Sequence, residues 1–345
     1  MRKRWFIVLA VLMVFSLAAC GGATEQPDGE QANEGNANGA QETGEVITLK
    51  LGHQTPESTN YHQLSLKFKE LVEEKSNGQV KIEIYPNRQL GTDRELLEAM
   101  QFGNLDLGVI SSPPISGFAP EFMVLDLPFI FENWDHVESF IGSDIYRELL
   151  ATSEKAGLKT FELMARGFRH VTTTDKPIQK PEDLQELDLR VIETPIYVQA
   201  YEALGANAKA MSWPDAYTAL EQGAIDGQEN TMDIIHDERV YEVNNTVSKT
   251  GITFTFAALM GSKQTFDQLP EDVQQIITEA AQEAVAYINP INREKESEFE
   301  GILEEKGMTI YDVDQKPFKQ HVQQIYDKFT SEHGDQIFNG INALR

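Results

Sequence analysis

Residues 187–230 read LDLRVIETPIYVQAYEALGANAKAMSWPDAYTALEQGAIDGQEN, and this stretch decides the fold of the chain. Apolar and polar residues alternate over 187–191, which predicts a short strand with one buried face. Thr194 and Pro195 then supply an N-cap and a proline at the first helical position, so we predict a helix to about Leu204. Gly205 ends this helix, because glycine readily adopts the left-handed conformation found at helix C-termini.

A second helix in the same stretch begins after Ser212, which has Pro214 in the first turn and Asp215 three residues later. Gly223 ends this helix, and the segment AIDGQEN, residues 224–230, follows it. The stretch therefore predicts a strand, a helix, a crossing segment, a second helix and a second strand.

Arg190 is predicted at the carboxyl end of the first of these strands, beside the N-terminus of the helix. An α/β sheet forms anion sites at this edge, because a guanidinium fork, exposed backbone N–H groups and the positive end of a helix dipole converge there. The pattern therefore predicts an anion site that includes Arg190.

The chain before this stretch also alternates between strands and helices, from residue 46 to residue 111. Thr92 and Glu95 form a capping box that predicts the start of one helix. The predicted strands are 46–51, a segment around 82–84, and 105–110. This β-α-β-α-β order predicts a doubly wound parallel sheet whose ligand edge lies at the carboxyl ends of its strands. Those ends carry His53, the region of Asp93, and Ser111.

Later elements follow from shorter patterns. In chain order they are a proline-rich loop at 112–121, a packed apolar segment at 125–131, a helix at 134–150, strands at 158–163 and 252–259, a long helix from residue 270, and terminal helices with a short strand at 308–311.

The N-terminus has the pattern of a bacterial lipoprotein signal peptide over residues 1–20. A basic start and an apolar run precede Cys20, the only cysteine, which is the expected lipidation site; a buried thiol or an ordinary signal peptide is the alternative. Residues 21–45 are rich in Gly, Asn, Gln and Glu and predict a disordered acidic tether. A single cysteine excludes an intrachain disulfide and a cysteine-based metal site.

The net charge of −26 argues against nucleic acid and anionic membrane surfaces as partners, since both would repel the body of the protein. A solubilising surface is the simplest account of this charge. The sequence has no nucleophile-elbow, zinc-protease, P-loop or dinucleotide-binding motif, and its seven histidines lack metal-ligand spacing. We therefore expect no enzyme activity, no cofactor and no metal.

Several ordered motifs resemble the substrate-binding subunits (DctP family) of tripartite ATP-independent periplasmic (TRAP) transporters. They are LGHQT, YPNRQLGTDRE, GFRH, LRV, the helix opened by Ser212 and Trp213, and AIDGQEN, and the resemblance extends from about Val46 to the C-terminus. It implies a two-lobed α/β fold of the periplasmic-binding-protein type, in which each lobe is a sheet flanked by helices, the ligand cleft lies between the lobes and a long helix spans them. Lobe one would comprise 46–167 and 256–295, and lobe two 168–255 and 296–345.

The resemblance also implies roles for individual residues. Arg190, of the LRV motif, would hold a ligand carboxylate, and its alternative is a solvated arginine at a strand end. Arg169 would be a second cleft arginine, unless it forms a structural salt bridge. Asn230 would contact the ligand or cap a turn, and Trp213 would wall the pocket or pack in the core. The weaker candidates for specificity are His53, Asp93, Ser111 and Glu193. Relatives that bind sialic acid carry a carboxylate at the position of Ser111, which argues against that ligand.

The function implied is that of an extracytoplasmic solute receptor, anchored to the cell membrane by lipid on Cys20 and acting as a monomer. It would capture a small organic acid, either a C4-dicarboxylate or a sugar acid such as a uronate, and deliver it to TRAP permease subunits in the membrane. The alternatives are a lipoprotein that serves another importer or a sensor kinase, and a secreted α/β enzyme.

Overall fold

The computed structural model describes residues 46–345. The signal peptide, Cys20 and the tether lie outside the described residues. The described chain forms two β-sheets flanked by helices. The strands are β1 (Ile47–Gly52), β2 (Val80–Tyr85), β3 (Leu107–Ser111), β4 (Leu158–Phe168), β5 (His170–Thr173), β6 (Asp188–Val191), β7 (Asn207–Ala210), β8 (Gly227–Asn230), β9 (Thr246–Lys249), β10 (Phe254–Ser262) and β11 (Thr309–Asp312).

The α-helices connect these strands and cover the two sheets. They are α1 (Asn60–Lys75), α2 (Asp93–Gln101), α3 (Ser112–Ile115), α4 (Trp134–Ile141), α5 (Asp144–Thr152), α6 (Pro195–Ala203), α7 (Trp213–Glu221), α8 (Met232–Asp237), α9 (Lys263–Gln268), α10 (Glu271–Glu305), α11 (Lys316–His321), α12 (Gln323–His333) and α13 (Gln336–Asn342). No helix within residues 46–345 is long and apolar enough to cross a membrane.

The first sheet has the strand order β2-β1-β3-β10-β4. Its first three strands are parallel, as the alternating pattern predicts. The parallel arrangement is limited to these three strands, because β10 runs antiparallel to both of its neighbours: Ala258 lies opposite Ile110 on β3 and Leu163 on β4. Strand β4 leaves this sheet at its carboxyl end to enter the second sheet. Because β10 returns through the same end, it must run in the opposite direction.

The second sheet has the strand order β11-β9-β5-β8-β6-β7. The predicted crossing segment between the two helices of 187–230 is itself an edge strand, β7, which is parallel to β6. The predicted helix boundaries agree closely with α6 and α7, and Gly205 and Gly223 both have positive φ after these helices. Arg169 is the single residue between β4 and β5, so one residue connects the two sheets at this crossing.

Three further sequence predictions differ from the structure. The predicted loop at 112–121 contains α3, which has a proline in its first turn. The predicted helix at 134–150 is two helices, since Gly142 ends α4 and the Ser143 hydroxyl accepts from the Tyr146 N–H at 3.2 Å to cap α5. Strand β4 extends to Phe168, five residues beyond the predicted end, because it pairs with β10 along this length.

Helix α10 packs against both sheets. Val273, Ile277 and Ile288 lie in the core of the first sheet, whereas Leu303 lies with Met232 in a separate core of the second sheet. Burying each such side chain stabilises the fold by about 1.5–3 kcal/mol. The helix therefore spans the two sheets, as the resemblance implies.

Candidate functional site

A cavity lies where the carboxyl ends of strands from both sheets face one another. Gln54 follows β1 and Ser111 ends β3 on one side, while Ile192 follows β6 and Asn230 ends β8 on the other. The cavity holds about 540 Å³ of empty space, its open mouth included. Seven of the eight predicted ligand-binding residues line it: Asp93, Ser111, Arg169, Arg190, Glu193, Trp213 and Asn230.

Arg190 is 2 % exposed and forms no ion pair with any described residue. Its Nε and Nη2 atoms donate to the Met211 carbonyl oxygen at 3.0 and 2.8 Å, and its guanidinium lies 5.5 Å from the centre of the Trp213 ring. Burial lowers the pKa of Arg190 to about 10, which leaves the group charged at neutral pH. A buried cation without an anionic partner is costly, so the site favours an anion that reaches the free end of the guanidinium.

Arg169 is also buried, but Glu229 compensates its charge. Its Nε donates to one Glu229 carboxylate oxygen, and its Nη2 donates to the other at 2.9 Å and to the Glu229 carbonyl oxygen at 2.7 Å. Burial alone would lower the pKa of Arg169, but the Glu229 carboxylate outweighs it and raises the pKa. Arg169 thus forms the structural salt bridge that the sequence left as its alternative, and it lines the cavity as well.

Arg166 lines the cavity although the sequence analysis did not select it. Its Nη2 donates to Thr231 at 2.8 Å and to Asp233 at 3.3 Å, and its Nη1 donates to the Tyr61 hydroxyl at 3.3 Å. Tyr61 and Gln54 are further lining residues that were missed. The sequence did contain a signal for Arg166, because it is a charged residue in the largely apolar strand segment 158–168. A charged side chain that is buried in a strand requires a partner.

Asn230 and Trp213 each combine a structural contact with a position on the cavity wall. The Asn230 Oδ1 accepts from the Thr231 N–H at 3.1 Å, while its Nδ2 has no partner among residues 46–345. Trp213 packs partly against the core that contains Met232. Asn230 thus makes a local backbone contact and Trp213 packs in the core, which were the structural alternatives from the sequence, and both residues also lie on the cavity wall.

Asp93 is the first residue of α2 and is 4 % exposed. Its Oδ2 accepts from Gln54 Nε2 at 2.7 Å and from the Ser111 N–H at 3.2 Å, whereas its Oδ1 is buried without a partner. Burial, with a smaller contribution from the nearby Glu193 carboxylate, raises the pKa of Asp93 to about 7. The Ser111 Oγ is likewise buried without a partner. Together with the Arg166 Nε, three buried polar atoms that line the first-sheet side of the cavity therefore lack hydrogen-bond partners among residues 46–345.

His53 is the one predicted site residue that the structure does not place on the cavity wall. Its side chain is buried between Thr55, 3.2 Å from Nδ1, and His62, 3.1 Å from Nε2. Burial and the neighbouring His62 lower the pKa of His53 to about 4. His53 follows β1 as predicted, but its ring contacts Thr55 and His62 rather than the cavity.

No group of three or more His, Cys, Asp or Glu side chains in the described part of the chain is placed to hold a metal ion.

The family model described as "Bacterial extracellular solute-binding protein, family 7" (DctP) matches residues 51–333. The chain belongs to this family. Members of family 7 bind solutes outside the cytoplasm, and the two-sheet fold with its spanning helix agrees with their solved structures.

Two relatives are similar to this chain over most of their length. The C4-dicarboxylate-binding protein DctB of Bacillus subtilis is 28 % identical, over 87 % of this chain and 87 % of the relative. The 2,3-diketo-L-gulonate-binding periplasmic protein YiaO of Escherichia coli is 28 % identical, over 86 % of this chain and 92 % of the relative. Among solved structures, a TRAP periplasmic solute-binding protein from Chromohalobacter salexigens with bound D-glucuronate has a TM-score of 0.83 at 28 % identity, over 86 % of this chain and 100 % of that chain.

Proposed function

We propose that this family 7 protein is the solute receptor of a TRAP transporter and that its solute is a small organic acid. Arg190 carries the proposal, since it is a buried guanidinium in the cavity with no acidic partner among residues 46–345. The Met211 carbonyl occupies the edge of the guanidinium that is formed by Nε and Nη2. The ligand carboxylate therefore binds at the end of the guanidinium, across Nη1 and Nη2.

The similar proteins support an acid as the ligand. The names of the two relatives specify a C4-dicarboxylate and a keto sugar acid, and the Chromohalobacter protein holds a uronate. Each of these ligands carries at least one carboxylate, which is the group that an unpaired buried arginine recognises. The proposed site comprises Arg190 as the carboxylate ligand and Arg169, Asn230, Trp213, Asp93, Ser111 and Glu193 around the remainder of the solute.

A thermal-shift screen of organic acids, amines and neutral sugars tests this function. A ligand at 100 times its dissociation constant stabilises the folded protein by about 2.7 kcal/mol, which such a screen detects. We expect acids alone to raise the melting temperature, and we expect the bound acid to be recovered chemically unchanged. Stabilisation by amines or neutral sugars but by no acid would contradict the proposal, and conversion of the acid would indicate an enzyme.

Delivery to the membrane forms part of the proposal. The cavity is lined from both sheets, so closing of the lobes around the solute would create the form that the permease subunits recognise. Lipid on Cys20 would hold the receptor at the extracytoplasmic face of the membrane. Cys20→Ser should abolish lipid labelling and release the protein from membranes, whereas retention of the variant would contradict the anchor.

A further inference from the structure

A second cavity lies where α1, α8 and α10 meet, beside the cavity that contains Arg190. It holds about 710 Å³ of empty space, its open mouth included. The two cavities share one lining residue, Arg166, which is paired with Asp233 at 3.3 Å. Arg190 lines only the first cavity. The second cavity must therefore select any ligand by other groups.

Asn60, the first residue of α1, lines this second cavity and is 8 % exposed. Its Nδ2 donates to an Asp233 carboxylate oxygen at 2.9 Å and to the Asn292 Oδ1 at 3.4 Å. Both contacts require the nitrogen rather than the oxygen of the amide, which fixes the orientation of the Asn60 side chain. The Asn60 Oδ1 is then buried without a partner among residues 46–345. Because an unpaired buried acceptor is costly, Asn60 favours a ligand that donates hydrogen bonds.

Two carboxyl groups add negative charge to the same lining. Asp237 lies four residues after Asp233, so both project from one face of α8. Glu296 lies four residues after Asn292 on the neighbouring face of α10. Burial raises the pKa of Asp237 and that of Glu296, so each charged carboxylate would gain from a cation beside it. An ammonium group, with three donors, fits this acceptor-rich region.

The opposite charge comes from Lys295, which is partly buried on α10 and lines the cavity. Lys295 forms no ion pair with another residue of 46–345, so it can attract an anionic group of a ligand. Met232 and Phe299 add an apolar part to the lining, and both belong to the core beside β9. The second cavity thus combines acceptors, an unpaired cation and an apolar wall, as ligand pockets commonly do.

We propose that the second cavity binds a zwitterionic α-amino acid with an apolar side chain. The ligand ammonium lies among the Asn60 Oδ1 and the carboxylates of Asp237 and Glu296. The ligand carboxylate lies on Lys295, and the ligand side chain lies against Phe299. The inference goes beyond the proposed function, because it assigns a second ligand to a separate set of residues.

A ligand that carries only one of the two charges fits this lining less well. A simple amine would place its ammonium near Lys295 with no carboxylate between the two cations. A simple acid would meet Asp237 and Glu296 with no ammonium between the carboxylates. Like charges in a partly desolvated site repel each other, and such repulsion contributes to specificity. An α-amino acid avoids both repulsive contacts because it carries both charges on one carbon atom.

Three compounds of matched shape test the inference by calorimetric titration. They are L-leucine, 4-methylpentanoate, which lacks the ammonium, and 3-methylbutylamine, which lacks the carboxylate. The titrated protein is Arg190→Ala, so that acid binding in the first cavity does not contribute, and L-leucine is also titrated into wild type. We expect L-leucine to bind both proteins equally. It should bind at least about tenfold more tightly than either analogue, because a charge-assisted contact contributes about one to two decades in affinity.

Single substitutions locate the amino acid. Asp237→Asn and Lys295→Gln should each weaken L-leucine binding at least about tenfold, whereas Asp144→Asn, at an exposed aspartate of α5, should leave it unchanged. Melting of the free variants verifies that they fold. If Asp237→Asn does not fold, Lys295→Gln still decides the question, since Lys295 has no ion pair within 46–345 that its loss would break.

Each other outcome overturns a definite claim. The inference is wrong if L-leucine does not bind, if either analogue binds as tightly, or if Lys295→Gln binds as wild type does. L-leucine binding that Arg190→Ala abolishes would place the amino acid in the first cavity and overturn this inference alone. Failure of every organic acid to bind wild type would overturn the proposed function, and L-leucine binding in the second cavity would then still stand.

Discussion

The Met211 carbonyl oxygen accepts hydrogen bonds from both Nε and Nη2 of Arg190, at 3.0 and 2.8 Å. Met211 immediately follows the edge strand β7, so the backbone of a neighbouring strand fixes the plane of the guanidinium. A guanidinium held in this way loses little conformational freedom when it binds a carboxylate. The backbone of the fold therefore preorganises the proposed anion site.

Arg190→Lys keeps the positive charge but cannot serve the Met211 carbonyl and two ligand oxygens in one plane. Losing a charge-assisted hydrogen bond costs about 1.5–3 kcal/mol, so we expect the affinity for the acid to fall about 10- to 100-fold. Calorimetric titration measures this change. Arg239→Lys, at an exposed arginine, is the matched control and should bind as wild type does. Unaltered binding by Arg190→Lys would remove the carboxylate clamp from the site.

Glu229→Gln should destabilise the protein, because it leaves the Arg169 guanidinium buried without its counter-charge. Breaking one partner of a buried pair typically costs about 3–5 kcal/mol in the free energy of unfolding. Urea unfolding measures this loss. Glu242→Gln removes a partner of the exposed Arg239 ion pair and should change stability by less than about 1 kcal/mol. Equal effects of the two substitutions would show that Arg169 and Glu229 are not energetically coupled.

Asp93 should make stability depend on pH in a defined direction. Its pKa in the folded state, about 7, exceeds the ordinary value of 3.8. The folded-state stability that depends on protonated Asp93 is therefore fully present below about pH 4 and is lost as the pH rises through 7. Asp93→Asn cannot titrate, and three pKa units correspond to about 4 kcal/mol. We therefore expect this variant to exceed wild type by about 2–4 kcal/mol at pH 8 and to match it at pH 4.

Urea unfolding of wild type, Asp93→Asn and the exposed control Asp144→Asn at several pH values distinguishes the possibilities. The control should follow wild type throughout. An advantage of Asp93→Asn that grows towards acid pH would have the wrong sign and would exclude a raised pKa.

Ligand binding should make the protein more compact if the lobes close. We propose 46–167 with 256–295 as one lobe and 168–255 with 296–345 as the other, with crossings near Arg169 and Thr253. Solution scattering with saturating acid should give a smaller radius of gyration for wild type. Arg190→Ala, at the same concentration of acid, should keep the curve of the free protein. Identical curves for free and saturated wild type would contradict closure.

Local patterns in the sequence predict a large part of this fold, because capping boxes, glycines and apolar periodicity act over a few residues. The Thr92–Glu95 capping box opens α2 as predicted and thereby places Asp93 at the cavity. The sequence does not reveal that β10 lies antiparallel between β3 and β4, since periodicity indicates a strand but not its neighbours.

Local sequence patterns do not reveal tertiary neighbours, and this also explains why some site residues were missed. Arg166 interacts with Tyr61, 105 residues before it, and with Asp233, 67 residues after it, and no local pattern connects these positions. His53 also follows a strand but is not among the residues that line the cavity, because a strand-end position does not fix the direction of a side chain. Predicting the site fully required the tertiary arrangement of both sheets.

The one-residue connection between β4 and β5 limits how this receptor can change its ligand. An insertion or deletion at Arg169 would shift strand register in both sheets, and the Arg169 N–H is also bound to the Thr253 carbonyl at 2.9 Å on the returning crossing. Glu193 and Ser212, which precede helices on the opposite wall, carry no such constraint. New solute preferences should therefore arise by substitutions at positions such as Glu193 and Ser212, whereas the one-residue connection at Arg169 should stay unchanged. This should hold in natural divergence and in directed evolution alike.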